Sequence, residues 1–294
     1  MEGQGRLVLS REVSSGGKVY TLTVGEEDLS RLYPGMIRYT LRLALEGATL
    51  GIFRTNTLEY SPGVPLDAEK VARARAAEWE TRLGKDPAAL LASIGRPAES
   101  HLAEAGAVAE VLVIQGSPRA DGNCSTLAGW AAEEAAALGR KARVVYLDDL
   151  SIRPCIGCYQ CYNTGSCTFG DDMTGLIAAL RSAALLVVCT PVYTNTVPGG
   201  LKIFIDRCQA YHAEKSLHGG GGGSKKGLLL SVAGREGAGN FACVKMVVTS
   251  FMRNLGIRPS GELLLGGMDR VRDVRALPDA RGEVGRLVRD ALGS

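Results

Sequence analysis

Four of the eight cysteines in this 294-residue chain, Cys155, Cys158, Cys161 and Cys167, fall within thirteen positions in the pattern C-x2-C-x2-C-x5-C. Two-residue gaps let successive thiolates curl around one centre, and Gly157 and Gly165 ease the turns. Three cysteines so spaced are how ferredoxin-type chains hold most of an iron–sulfur cluster. Cys167 is near enough in sequence to complete a local four-thiolate [4Fe–4S] site. Zinc also takes four thiolates, but usually from two C-x2-C knuckles across a longer spacer. A redox-inert, metal-free loop is the third reading.

A second group of residues suits a phosphate. Gly116-Ser117-Pro118-Arg119 follows the apolar run Val111–Ile114 and continues through Asn123, Cys124, Ser125 and Thr126 into a helical pattern. Glycine, hydroxyls and an arginine before a helix N-terminus make an anion cradle. Ser125 or Thr126 could equally serve as an N-cap, and Cys124 as a small packed residue. The pattern G-x-G-x-x-G is absent, so the phosphate monoester of FMN fits better than the pyrophosphate of NAD. A third group, Pro191, Val192, Tyr193, Thr194, Asn195 and Thr196, offers an aromatic ring, an amide and backbone polar groups to a flat heteroaromatic ring. A fourth, Gly234 in a glycine-rich turn, allows close backbone approach.

All these loops follow apolar runs. Strands are expected at 111–114, 143–147, 185–189, 227–232 and 263–265, with helices at 125–138, 172–182, about 200–213, about 240–255 and up to Leu292. Buried strands alternating with helices give an α/β fold with a doubly wound parallel sheet of five strands. Such sheets bind ligands beyond the carboxyl ends of their strands, where the phosphate, ring and Gly234 loops lie.

Residues 1–107 read as a separate α+β module of unknown role, and 108–294 as the ligand-binding domain carrying the cysteine loop 155–167. The module should hold a hairpin around Ser14–Gly17, a helical pattern from Glu26 through Leu32, Met36, Tyr39 and Leu43 to Gly47, and helices at 68–83 and 87–94. Five glycines after His218 form either slack or a lid. Cys189, Cys208 and Cys243 read as small apolar residues, and Arg270–Arg275 as a solvated face. A net charge of +3 is too small to argue for nucleic acid or an anionic membrane as partner, and neither is expected. No apolar run approaches the roughly 20 residues of a membrane span. Clustered cysteines without an export signal predict the cytoplasm.

From about residue 109 onward the chain resembles the iron–sulfur flavoproteins, within the flavodoxin-like NAD(P)H-dependent FMN reductases. The resemblance rests on Gly116–Arg119 with Asn123, the cysteine run with Asp171-Asp172-Met173 behind it, and Pro191-Val192-Tyr193 continuing to Leu201-Lys202 and Asp206-Arg207. It implies FMN with Ser117, Arg119, Asn123, Ser125 and Thr126 at its phosphate, residues 191–196 along its ring and Gly234 nearby. It implies a [4Fe–4S] cluster on Cys155, Cys158, Cys161 and Cys167, and a homodimer or homotetramer. The function expected is electron transfer between NAD(P)H or a ferredoxin-like carrier and a small acceptor. The alternatives are a cluster-free reductase of quinones, nitro or azo compounds, and a flavin- or zinc-binding regulatory module.

Overall fold

The computed structural model describes residues 5–60, 67–94, 109–217 and 225–293. They fall into two compact units. The first holds the described residues up to 94, together with Ile156–Thr168 and residues 216–217; the second holds the rest. The segment Ile156–Thr168, with Cys158, Cys161 and Cys167, thus groups with the first unit, while Cys155 falls in the second. The expected boundary at 107, the glycine loop 219–223 and His218 lie outside the described residues.

In the first unit β1 (Arg6–Ser15), β2 (Lys18–Asp28), β3 (Ile37–Leu45) and β4 (Ala48–Asn56) form an antiparallel meander in that order. Gly16 and Gly17 turn the first hairpin at φ of 60° and 72°, the left-handed pair that matches strand twist. The helix expected over 26–47 is instead the end of β2, a turn at Pro34-Gly35 and β3. Leu32, Met36, Tyr39 and Leu43 fall at helical spacing, but Tyr39, Leu41 and Leu43 also alternate with Arg38, Thr40 and Arg42. Burial of every second residue won. β4 had no forecast. On one face Leu22, Leu41 and Leu43 pack with Ala72, Ala76 and Trp79 of α1 (Ala68–Lys85) and Leu90 of α2 (Pro87–Ile94). Asp67 caps α1, its carboxylate accepting from the Lys70 N–H at 2.8 Å.

In the second unit β5 (Val111–Gln115), β6 (Ala142–Tyr146), β7 (Leu185–Pro191), β8 (Lys226–Val232) and β9 (Arg258–Leu265) form a parallel sheet in the order β6-β5-β7-β8-β9. This is the flavodoxin-like order 2-1-3-4-5, whose direction of winding reverses between β5 and β7. On one face Val113, Val187 and Leu230 bury against Leu127 and Ala131 of α3 (Asn123–Ala137) and other buried apolar residues of the same cluster. Leu112 and Ile114, on the other face, are equally buried, which is why these strands read as unbroken apolar runs. α4 (Met173–Ser182) precedes β7. The helix expected over 200–213 is two, α5 (Gly199–Arg207) and α6 (Gln209–Leu217), parted at Cys208. α7 (Ala242–Asn254) precedes β9, and α8 (Ala280–Leu292) packs against α3.

Candidate functional site

A cavity of about 1030 Å³ opens at the carboxyl ends of the parallel strands, at the upper end of typical ligand pockets. The loop after β5 gives it Ser117, Arg119, Asp121, Gly122, Asn123 and Cys124; the end of β7 and its loop give Pro191, Val192, Tyr193, Thr194 and Asn195. Val232–Arg235 and Asn240 close a third side, and Met268, Asp269, Arg272, Asp273 and Arg275 a fourth.

The phosphate loop is shaped by Gln115, fully buried at the end of an otherwise apolar strand. Its Nε2 donates to the Arg119 carbonyl at 3.1 Å and to Ser125 Oγ at 2.9 Å, and its Oε1 accepts from the Ser117 N–H at 2.9 Å. Ser117 Oγ accepts from the Arg119 N–H at 3.2 Å. α3 starts after Gly122 without a side-chain capping bond, which leaves its first N–H groups open to an anion. Gln115 had drawn no notice in the sequence. The available signal was one amide ending a buried apolar run.

The ring-side loop is a tight hairpin. Tyr193 and Thr196 exchange backbone bonds of 2.8 and 2.9 Å across Thr194 and Asn195, at φ of 47° and 61°. A β-branched residue there is strained, and such strain gathers at ligand sites. Opposite, a Cβ on Gly234 would lie 2.4 Å from Asp269 Oδ1. Gly234→Ala must therefore displace the Asp269 carboxylate within the cavity, and we expect weaker flavin binding with little loss of stability. Flavin titration paired with thermal melting checks this; unchanged affinity would refute it.

Of the expected cofactor residues, Ser117, Arg119, Asn123, Cys124, Pro191, Val192, Tyr193, Thr194, Asn195 and Gly234 line one cavity. Ser125, Thr126 and Thr196 do not: Ser125 is spent on Gln115, and Thr196 closes the hairpin. Asn123 lines the wall and its amide is partly engaged. Nδ2 donates to the Arg272 carbonyl and Oδ1 accepts from the Val274 N–H, both at 3.0 Å. Asn123 thus ties the rim loop to the phosphate loop, and the second N–H of its amide remains available to a phosphate. Burial alone pushes the Cys124 thiol up to about 12, so it packs as a neutral small side chain. Cys189 and Cys208 are likewise buried, whereas Cys243 is exposed.

The arginines expected to be solvated include two rim residues, Arg272 and Arg275. Arg275 pairs with Asp273 at 3.0 Å. Among the described residues the guanidinium groups of Arg119, Arg235 and Arg272 have no carboxylate partner. A cavity bearing the unpaired Arg119, Arg235 and Arg272 beside an uncapped helix start fits the phosphate end of FMN, and the strained hairpin fits a flat ring lying along backbone.

Of the cysteines, Cys155 is exposed, and Cys158, Cys161 and Cys167 are half-buried; none of the four is in a disulfide. The donor set thus fits a four-thiolate metal group in kind. Among the described residues, no three His, Cys, Asp or Glu side chains are gathered as a ligand group. Flanking residues are fixed in the second unit. Arg207, almost fully buried, donates from Nη1 and Nη2 to the Asp171 carboxylate at 2.7 and 2.9 Å, and from Nη1 to the Arg153 carbonyl at 2.6 Å. The Phe169 ring lies 4.1 Å from the Arg153 guanidinium and 5.1 Å from that of Arg207.

Comparison with known proteins agrees with this geometry. Residues 109–266, more than half the chain, match the sequence profile of the family described as NADPH-dependent FMN reductase. The chain is 27% identical over 143 residues to an iron–sulfur flavoprotein of Methanocaldococcus jannaschii, covering 49% of this chain and 72% of that protein. It is 34% identical over 111 residues to one of Archaeoglobus fulgidus, covering 38% and 50%. In fold it is similar to the NAD(P)H:quinone oxidoreductase from Methanothermobacter marburgensis, with a TM-score of 0.50 at 18% identity over 63% of this chain and 96% of that one. With three of the cavity's four sides inside the matched residues, the chain belongs to the NADPH-dependent FMN reductase family of flavodoxin-like, FMN-dependent oxidoreductases.

Proposed function

We propose that this oxidoreductase is an electron-transfer flavoprotein carrying FMN in the cavity and a [4Fe–4S] cluster on Cys155, Cys158, Cys161 and Cys167. The observation that carries the flavin half is the convergence of three strand-end loops on one cavity at the switch point between β5 and β7. Ser117, Arg119 and the first N–H groups of α3 would hold the phosphate. Pro191 to Asn195 would lie along the ring, with Gly234 leaving room beside Asp269. FMN supplies hydride acceptance and one-electron release, while the protein sets access, distance and electrostatics. No side chain is required as a general acid or base. Electrons would pass between NAD(P)H or a ferredoxin-like carrier and a small acceptor, in a cytoplasmic homodimer or homotetramer. No described helix is long and apolar enough to cross a membrane.

The cluster half is supported by the cysteine spacing and by the similarity to iron–sulfur flavoproteins. A cluster-free FMN reductase is the second reading, supported by the match to the NADPH-dependent FMN reductase family. An anaerobic spectrum with iron, sulfide and zinc analysis separates the two. The first reading expects about four irons and four sulfides per chain beneath the flavin bands. Flavin without metal leaves the second, and stoichiometric zinc makes the cysteine loop structural. Cys158→Ser is expected to lose the iron and keep FMN, because the cavity draws on none of the four cysteines. Loss of both from a folded protein would contradict separate sites.

A further inference from the structure

The first unit has one apolar sheet face and one polar one. Arg38 on β3 pairs across the sheet with Asn56 on β4, and Thr40 with Arg54, so Arg38, Arg54 and Asn56 share the face away from Leu41 and Leu43. That face meets the cysteine segment. Arg38 Nη1 donates to the Tyr162 carbonyl and Arg54 Nη1 to the Asn163 carbonyl, both at 2.9 Å. Asn56 Nδ2 donates to Asn163 Oδ1 at 3.0 Å. Glu59, just past β4, accepts from Asn163 Nδ2 at 2.6 Å and from Gln160 Nε2 at 2.7 Å. Its carboxylate also accepts from the Asn56 N–H at 2.7 Å. The Tyr33 ring stands edge-on to Tyr159 and Tyr162, at 5.4 and 5.6 Å. Asn56, Tyr162 and Asn163 are buried.

Two arginines, Arg38 and Arg54, and two carboxylates, Glu27 and Glu59, meet at this interface. Arg38 is paired with Glu27. Arg54 has no carboxylate partner among the described residues, and its buried Nε has no hydrogen-bond partner. Burial, then the neighbouring charge of Arg38, lowers the Arg54 pKa. A half-buried cation left uncompensated is costly, and an anion seated on the loop beneath it would remove that cost.

We infer that the N-terminal unit is the seat of the cysteine segment: Arg38, Arg54, Asn56 and Glu59 are positioning residues that hold 159–163, and Arg54 supplies the counter-charge for an anionic metal–thiolate group there. The positioning role stands on the hydrogen bonds alone; the counter-charge role rests on the cluster reading above. The test uses the full chain purified without oxygen, in wild-type form and as Glu59→Ala, Arg54→Met and Arg54→Lys. Hydrogen exchange is read on peptides spanning 156–168. In Glu59→Ala, exchange there should rise at least tenfold, with peptides of β5 and α3 unchanged and FMN retained. Unchanged exchange in both Glu59→Ala and Arg54→Met overturns the positioning role. The counter-charge is read as the cluster midpoint in a potentiometric titration followed by electron paramagnetic resonance. Arg54→Met should make reduction about tenfold less favourable, a fall of about 59 mV for one electron, and Arg54→Lys should restore most of it. An unshifted midpoint with iron content intact, or a wild-type protein without iron, overturns the counter-charge role, while the exchange result still decides the positioning role.

Discussion

Arg207→Met is expected to destabilise the flavin-binding unit by about 3–5 kcal/mol, the usual cost of breaking a buried ion pair on one side. Arg207 and Asp171 have side chains only 1% and 10% exposed, so water cannot replace what is removed. The Asp171 carboxylate would keep only the Arg153 and Met173 N–H groups, at 3.0 and 3.2 Å. The Arg153 carbonyl and the Phe169 ring would lose their shared cation. Urea unfolding followed by flavin fluorescence and near-ultraviolet dichroism reads the change. The double variant Arg207→Met/Asp171→Leu should recover most of the loss, because no charge is then stranded. A cost for Arg207→Met below about 1 kcal/mol, the range of surface pairs, would refute this account. The same pair sets a pH dependence. Burial pushes the Asp171 carboxyl up, but the bonds from Arg207, Arg153 and Met173 outweigh it and leave its pKa below the ordinary range. The stabilisation is therefore complete above the unfolded value of about 3.9 and is lost as pH falls through the lower folded one. Asp171→Asn should flatten that acid limb.

Arg119→Ala is expected to weaken FMN binding by about 10- to 100-fold, since a charge-assisted bond contributes about 1.5–3 kcal/mol and each 1.4 kcal/mol is tenfold. The backbone of Arg119 is held by Gln115 and Ser117, so the truncation should leave the loop in place. Riboflavin, which lacks the phosphate, provides the control: its affinity should change little. Equal losses for FMN and riboflavin would show that Arg119 shapes the loop and does not meet the phosphate. Arg119→Lys should fall between, because a point charge replaces a planar fork. Arg275→Ala, removing a rim arginine already engaged by Asp273, should cost far less. Isothermal titration of the flavin-free protein gives all these constants.

The ligand-binding unit was legible because its chemistry is local. Val111–Ile114, Leu185–Cys189 and Gly227–Val232 are buried on both faces, so each reads as an apolar run, and the residue after each run marks a loop at the ligand-binding rim. What escaped was held together over distance. Gln115 works through backbone groups of the loop that follows it. Arg272 reaches the rim because Asn123 holds a carbonyl 149 positions away, which no local pattern announces. In the N-terminal unit, β3 was mistaken for helix because Met36, Tyr39 and Leu43 satisfy a helical period as well as a burial pattern of strands. The bond between cysteine segment and sheet left no trace either, since amides, carboxylate and guanidinium groups carry no hydrophobic period.

That polar interface also orders events during synthesis. The meander β1–β4 is made of neighbouring hairpins and can pair as soon as it emerges, but Asn163 follows Asn56 by 107 positions. At about 5–20 residues per second, the face bearing Arg38, Arg54 and Asn56 waits roughly 5–20 seconds for its partner. An apolar face bare for that time would invite aggregation. This one is polar and hydrated meanwhile, so the nascent sheet can stay soluble until the cysteine segment arrives.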